Sequence, residues 1–152
     1  MRSKLYYALH AERPNVSAGA RSTEVKGRIL IIDDNDAVRA AHERILSLAG
    51  YEVRAAAAPF EGLEATRDWA PDLILLDLIM PTISGFEAAK VFKAKTATRK
   101  AALIAFSGTI TDDEAERYRR IGFDGILPKP LSNSELVERI EQLLARRPPS
   151  KS

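Results

Sequence analysis

The chain has 152 residues, with 23 Lys and Arg against 21 Asp and Glu, a formal net charge of +2 and no cysteine. This length suits one domain with tails, and the lack of cysteine excludes a disulfide framework and thiolate chemistry. With only two histidines, the usual ligand sets for zinc are missing. No apolar run approaches the roughly 20 residues of a membrane span. The N-terminus also lacks the apolar core of a secretory signal, so we expect a cytoplasmic protein.

The basic charge is concentrated at the two ends of the chain. Residues 1–28 carry six basic and two acidic side chains, and residues 146–152 carry three basic ones. Residues 29–145 hold 14 basic and 19 acidic side chains, a net charge of −5. We therefore expect a flexible extension over 1–27, one folded domain over 28–146 and a tail over 147–152. No nucleic-acid recognition motif is present, so direct binding to nucleic acid or to a membrane is not expected.

The pattern of apolar residues predicts five strands that alternate with five helices. Ile29 to Ile32 forms an all-apolar first strand that ends at Asp33-Asp34, and the next helix begins at an Asp36 cap and closes at Gly50. The elements that follow are a strand over Tyr51–Ala55, a helix over Phe60–Trp69 after Pro59, a strand from Leu73, a helix from Ser84 to about Ala94, a strand over Ala101–Phe106, a helix from Thr111 to Gly122, a strand over Gly125–Leu127, and a helix from Ser132 ended by Pro148. This alternation predicts one parallel sheet with helices on both faces.

The third strand is the most informative of these elements. Its four apolar residues, Leu73 to Leu76, run directly into Asp77, and Pro81 stops regular structure shortly afterwards. A short apolar run of this kind is typical of a strand that is buried on both faces. Asp77 should therefore lie at the carboxyl edge of the sheet, where doubly wound folds bind ligands.

Polar side chains follow three other predicted strands. Asp33 and Asp34 follow the first strand, Ser107 the fourth, and Lys129 comes just after the fifth. Each alone has an ordinary explanation as a helix cap, a turn residue or a solvated loop residue, but their joint position at one edge favours a site. Three neighbouring carboxylates repel one another, and oxygen-only ligands point to Mg²⁺. A lysine and a hydroxyl beside them suit a phosphoryl group next to a carboxylate nucleophile.

These residues resemble the receiver domains of response regulators in two-component signalling. The likeness spans about residues 28–146 and rests on four motifs: Ile31-Ile32-Asp33-Asp34, Leu75-Leu76-Asp77-Leu78-Ile79-Met80-Pro81 with Gly85 after it, Ser107-Gly108, and Lys129-Pro130. The resemblance implies a doubly wound, flavodoxin-like α/β fold with strand order 2-1-3-4-5. It also implies a cis Lys129-Pro130 bond that directs the lysine inward.

The resemblance implies a role for each site residue. Asp77 would accept the phosphoryl group of a phosphohistidine on a sensor histidine kinase or a histidine phosphotransfer protein. Asp34, Asp77 and the backbone carbonyl of Ile79 would bind Mg²⁺ directly, and Asp33 would act through a metal-bound water. Two further side chains would contact phosphoryl oxygens: Lys129 and Ser107.

Two positions depart from the family pattern. Receivers commonly carry Tyr or Phe three residues before the lysine, where the ring turns inward on phosphorylation, and this chain has Ile126 there. An aliphatic side chain cannot present an aromatic face, so we expect an atypical switch; the alternative is that Ile126 only packs better. Ile79 cannot hydrogen-bond an attacking water, so we expect a comparatively long-lived acyl phosphate.

We therefore expect a stand-alone receiver that catalyses only its own phosphorylation and dephosphorylation and is not an enzyme acting on an external metabolite. We expect no output domain after Arg146-Arg147. The signal should then pass through altered protein binding at the face of helix four, strand five and helix five, or through onward phosphotransfer. Helix one, near Asn35 and Arg39, is the expected docking site of the phosphoryl donor.

Three other functional classes compete with this one. A haloacid-dehalogenase-like phosphatase also carries Asp after a buried strand, but it needs a second acid two residues later, where this chain has Ile79. A pseudo-receiver would be a protein-binding scaffold that never takes phosphate, and the complete set of site residues argues against it. A nucleotide-binding Rossmann fold lacks support because no glycine-rich turn follows the first strand.

Overall fold

The computed structural model describes residues 24–79, 84–108 and 110–146. Met80, Pro81 and the predicted termini before residue 24 and after residue 146 lie outside the described residues. The described residues form the strands β1 (Arg28–Ile32), β2 (Glu52–Ala56), β3 (Leu73–Asp77), β4 (Ala102–Ser107) and β5 (Gly125–Pro128), and the helices α1 (Asp36–Leu48), α2 (Pro59–Ala65), α3 (Gly85–Ala94), α4 (Asp112–Arg120) and α5 (Asn133–Ala145). In these ranges no helix combines the length and the apolar character that crossing a membrane needs.

The strands pair in parallel in the order β2-β1-β3-β4-β5. This confirms the predicted doubly wound sheet and its strand order. Alternate strand residues pack on one side against α1 and α5 and on the other side against α2, α3 and α4. All of β3 is buried because the sheet is covered on both faces, which explains its continuous apolar run up to Asp77.

Side-chain caps begin four of the five helices. Ser84, Thr111 and Ser132 each form the predicted capping box with the glutamate three residues later. The cap predicted at Asp36 was wrong by one residue: the Asn35 side chain accepts the backbone N–H of Val38, and Asp36 is the first helical residue. This shift brings the first turn of α1 directly against the end of β1.

Helix α2 is shorter than the sequence pattern predicted, because Trp69 packs against the strands instead of continuing the helix. Trp69 is only 4% exposed, and the guanidinium of Arg54 lies 4.7 Å from the centre of its ring. Arg54 also donates to the backbone carbonyl of Ala65 at 2.6 Å. The carbonyl of Ala65, the last residue of α2, is thus satisfied from β2.

Candidate functional site

Three aspartates meet at the carboxyl edge of the sheet. Asp33 and Asp34 directly follow β1, and Asp77 is the last residue of the neighbouring strand β3. One carboxylate oxygen from each aspartate lies within 4.8 Å of the others. Asp33 and Asp77 are 2% and 5% exposed, whereas Asp34 faces solvent. The sequence prediction that these carboxylates converge is borne out in position.

Lys129 approaches the aspartates from the end of β5. Its backbone N–H donates to the carbonyl of Ser107 at 2.9 Å, and its bond to Pro130 is cis, as the resemblance implied. Its Nζ lies 3.2 Å from Oδ1 of Asp77 and 4.0 Å from Oδ2 of Asp33. The lysine therefore offsets part of the negative charge at the two buried carboxylates.

The two oxygens of Asp77 have different surroundings. Oδ1 accepts the backbone N–H of Ile79 at 3.1 Å and pairs with Lys129. Within the described ranges, Oδ2 has no hydrogen-bond donor. A carboxylate oxygen that accepts no hydrogen bond keeps its lone pairs for a metal ion or an electrophile.

Folding raises the pKa of Asp33. Burial is the main cause, and the neighbouring carboxylates of Asp77 and Asp34 raise the pKa further. The backbone N–H of Asn35, which donates to Oδ1 of Asp33 at 2.9 Å, and the charge of Lys129 act in the opposite direction. Burial and the neighbouring carboxylates thus disfavour the charged form of Asp33. Three carboxylates without a nitrogen or sulfur donor therefore fit a hard divalent cation such as Mg²⁺.

The aspartates and the lysine open into one surface pocket. Its lining comprises Asp33, Asp34, Asn35, Val38, Asp77, Leu78, Ile79 and Lys129. Two other residues predicted for the site, Ser107 and Ile126, lie outside this lining in the described structure. Ser107 is buried beside Lys129 at the end of β4, whereas Ile126 is half-buried and packs in the same apolar cluster as Leu78.

Helix α1 contributes side chains that the sequence analysis did not assign to the site. Asn35 and Val38 line the pocket, and His42 follows on the same face of the helix, seven residues after the cap. The ring of His42 lies 5.4 Å from that of Phe106 on β4, and burial and then the charge of Lys129 lower the pKa of His42. This spacing from the cap is the signal that identifies the face of α1 toward the site.

An aromatic cluster near Ile126 was also not foreseen. The ring of Tyr118 on α4 stacks on Phe86 at a centroid distance of 4.8 Å and meets Phe123 edge-on at 5.3 Å. Tyr118 and Ile126 belong to the same apolar cluster as Leu78, which lines the pocket. Aromatic side chains are therefore present on this side of the sheet, although the position three residues before the lysine is aliphatic.

Comparison with known proteins identifies the family. The family model of the response regulator receiver domain matches residues 29–141 of this chain. Response regulator MprA of Mycobacterium sp. (strain KMS) is 36% identical over 124 residues, which are 80% of this chain and 52% of that protein. The chain thus spans about half the length of MprA. The polar-differentiation response regulator DivK of Brucella ovis is 29% identical over 116 residues, which are 76% of this chain and 94% of DivK.

Solved structures agree with this result. The chemotaxis response regulator CheY4 of Vibrio cholerae superposes with a TM-score of 0.71 at 26% identity, covering 77% of this chain and 98% of CheY4. A CheY-like receiver domain protein of Methanospirillum hungatei superposes with a TM-score of 0.71 at 30% identity, covering 81% and 96% of the two chains. The strand order and the acidic cluster at the carboxyl edge are consistent with the family match. The chain belongs to the response regulator receiver domains of two-component signalling.

Proposed function

We propose that this chain accepts a phosphoryl group on Asp77 from a phosphohistidine of a partner protein. The observation that carries the proposal is the state of Asp77: Oδ1 is held by Lys129 and the Ile79 amide, and Oδ2 has no donor in the described part of the chain. In the reaction, an Asp77 oxygen forms a bond to phosphorus while the nitrogen–phosphorus bond of the donor breaks. The imidazole nitrogen keeps the electron pair and takes up a proton.

The other site residues would position the phosphoryl group and offset its charge. Lys129 would exchange its contact with Asp77 for a phosphoryl oxygen, and the hydroxyl of Ser107 would donate to another. Asp34, Asp77 and the carbonyl of Ile79 would hold Mg²⁺, with Asp33 acting through a bound water. The cation, when bound, supplies positive charge that reduces the repulsion between the carboxylate and the incoming phosphoryl group.

Ile79 would lengthen the lifetime of the phosphorylated state. Its side chain is 68% exposed at the pocket and has no group that could orient a water for attack on the acyl phosphate. Ile126 would alter the way in which the surface reports phosphorylation, because its aliphatic side chain packs in an apolar cluster and has no ring to turn inward. Both statements rest on groups that these two side chains lack: a hydrogen-bonding group at Ile79 and an aromatic ring at Ile126.

The proposed partners follow from the phosphohistidine donor. A sensor histidine kinase or a histidine phosphotransfer protein would dock beside Asn35 and Arg39. The side chain of Arg39 is held beside the pocket, because its guanidinium donates hydrogen bonds to the carbonyl of Asp33 at 2.8 Å and to the carboxylate of Asp36 at 2.6 Å. The output would be altered protein binding or onward phosphotransfer, in the cytoplasm, with no chemistry beyond phosphorylation and dephosphorylation of the chain itself.

Intact-mass measurement after incubation with acetyl phosphate and Mg²⁺ tests the proposal. We expect one phosphoryl adduct on the native protein and none on the Asp77→Asn variant. Asp113→Asn, at an exposed aspartate in the first turn of α4, is the matched control and should be phosphorylated normally. A native protein without an adduct would favour the pseudo-receiver. Release of phosphate from small phosphomonoesters would favour the haloacid-dehalogenase-like phosphatase.

A further inference from the structure

A basic surface lies at the edge of the sheet opposite the site. Residues 90–100 and 117–120 together hold eight of the 14 Lys and Arg residues of the segment 29–145 and contain no Asp or Glu. We call these two stretches the basic edge. The rest of 29–145 holds six basic and 19 acidic residues. The folded domain is therefore strongly polarised, although its net charge is small.

The two stretches of the basic edge form one surface. Lys93 on α3 pairs with Asp124, which precedes β5, with Nζ 3.6 Å from Oδ2. A Cβ added at Gly122 would lie only 3.1 Å from Cε of Lys93, so the lysine stem rests on the turn that ends α4. The amide of Gly122 in turn donates to the carbonyl of Arg119. The end of α3 and the end of α4 are thus in direct contact.

Backbone hydrogen bonds place this surface at the amino edge of the sheet. Ala102, the first residue of β4, donates to the carbonyl of Asp72, which precedes β3, at 2.9 Å. Asp124 donates to the carbonyl of Leu103 near the start of β4 at 2.7 Å. Because Asp77 is the last residue of β3, the basic edge and the site lie at opposite ends of the strands.

Local structural roles account for only part of this charge. The arginines at the end of α4 complement the partial negative charge of a helix C-terminus, and two of them approach Glu116 at 4.0 and 3.9 Å. Exposed pairs of this kind contribute little stability. Lys90, Lys95 and Arg99 are exposed, and none has a carboxylate partner among the residues that the structure describes. Their charge is available to a partner.

We propose that the basic edge binds an acidic segment of a partner protein. Positive side chains from the end of α3, the loop after it and the end of α4 can form several ion pairs with such a segment. The surface continues toward an Arg-aromatic group: the guanidinium of Arg117 lies 5.5 Å from the ring of Phe86, which stacks on Tyr118. Arginine and tyrosine are among the residue types enriched at the centres of protein interfaces.

An acidic polypeptide fits this surface better than a nucleic acid or a membrane. The surface is confined to the end of α3, the loop after it and the end of α4, and the residues of 29–145 outside it carry 13 more negative than positive charges. A long polyanion would extend beyond the patch onto a domain whose other charges are mainly negative, whereas a short acidic segment would not. Since the basic edge lies away from Asp77, such a partner would leave the pocket accessible. The inference does not depend on phosphorylation.

Fluorescence anisotropy with a labelled glutamate-rich peptide tests this inference. The test variant combines Lys90→Glu, Lys95→Glu and Arg99→Glu. The control variant combines Arg44→Glu, Arg67→Glu and Arg139→Glu, which makes the same change in net charge at exposed positions outside the basic edge. Parallel titrations use a short mixed-sequence DNA duplex and vesicles containing phosphatidylserine. Circular dichroism of each variant establishes that it is folded.

We expect the native protein to bind the peptide with an affinity that falls as salt is added. The test variant should lose at least about tenfold in affinity, equivalent to 1.4 kcal/mol, and the control should stay within about twofold. An equal loss in both variants would mean that net charge alone is responsible and would overturn the proposal. So would the absence of peptide binding, or tighter binding to the duplex or the vesicles than to the peptide.

Discussion

Replacing Asp33 by Asn should make the metal-free protein more stable. Asparagine keeps the shape of the side chain and the oxygen that accepts the backbone N–H of Asn35 at 2.9 Å. The variant therefore removes one negative charge from the cluster and leaves the turn after β1 intact. Because the residue is 2% exposed, water screens this charge weakly.

The size of the effect follows from the distances in the cluster. At an effective dielectric constant of about 20, a like-charged oxygen within 4.8 Å costs about 3.5 kcal/mol, which applies to the buried pair Asp33–Asp77. For the exposed Asp34 the same distance costs about 1 kcal/mol in a water-like dielectric. Attraction to Lys129 at 4.0 Å returns about 4 kcal/mol. These terms nearly cancel, which leaves the cost of burying the carboxylate. We expect a gain of about 1–3 kcal/mol.

The dependence on pH gives the same prediction a sign. Folding raises the pKa of Asp33, so its contribution to stability is fully present below the unfolded pKa and is lost as the pH rises through the folded value. The native protein thus carries the cost at neutral pH and not in acid. The advantage of Asp33→Asn should be largest at neutral pH and should shrink as the pH falls.

Urea unfolding in the presence of a chelator measures the effect. The single tryptophan, Trp69, is buried and reports unfolding by fluorescence. The midpoint should rise in the variant with an unchanged slope. Millimolar Mg²⁺ should stabilise the native protein and have less effect on the variant. A variant that is no more stable than the native protein at neutral pH would refute the reasoning about the cluster.

Three further predictions concern other parts of the chain. Gly85→Ala should destabilise the protein by about 1–3 kcal/mol in urea unfolding, because a Cβ would lie 2.7 Å from Cδ2 of Leu78 and 3.2 Å from Cε1 of Tyr118. Burial raises the pKa of Tyr51 to about 12, so stability should fall by about 2–3 kcal/mol as the pH rises from the unfolded pKa of about 10 through this value, and Tyr51→Phe should remove that loss. Ile79→Asn should speed loss of the phosphoryl group by about threefold to tenfold in a mass-spectrometric time course, because the side-chain amide of asparagine can orient water.

Each of these predictions has a distinct contrary result. If Gly85→Ala unfolds at the same urea concentration as the native protein, the added Cβ does not crowd the side chain of Leu78. Parallel alkaline curves for Tyr51→Phe and the native protein would show that the buried phenol does not set the loss of stability. Unchanged or slower dephosphorylation of Ile79→Asn would contradict the role proposed for this side chain.

The fold and the position of the acidic cluster were predictable because they depend on few features. Apolar runs that end at polar residues give the strands of a buried parallel sheet, and the carboxyl ends of such strands share one edge. Asp33, Asp77 and Lys129 meet there without any need to know the packing of individual side chains. The capping boxes at the starts of α3, α4 and α5 were equally local.

Features that depend on tertiary contacts were not predictable. The end of α2 is set by Arg54, a residue of β2 that reaches the carbonyl of Ala65 and the ring of Trp69. The end of α2 is decided by a side chain from another element, and the sequence of the helix itself does not show that contact. The cap of α1 is a different case: it falls on Asn35, whose backbone N–H donates to Asp33 only two residues earlier, so this contact is local.

The separation between the acidic pocket and the basic edge has an electrical consequence. A parallel strand of six residues such as β4 is about 20 Å long, whereas charges in physiological salt are screened over about 8 Å. The two ends of the domain are therefore nearly insulated from each other. The arrival or departure of charge at Asp77 would leave the potential at the opposite edge almost unchanged, and a protein held there would sense the state of the pocket only through movement of the helices that connect the two ends.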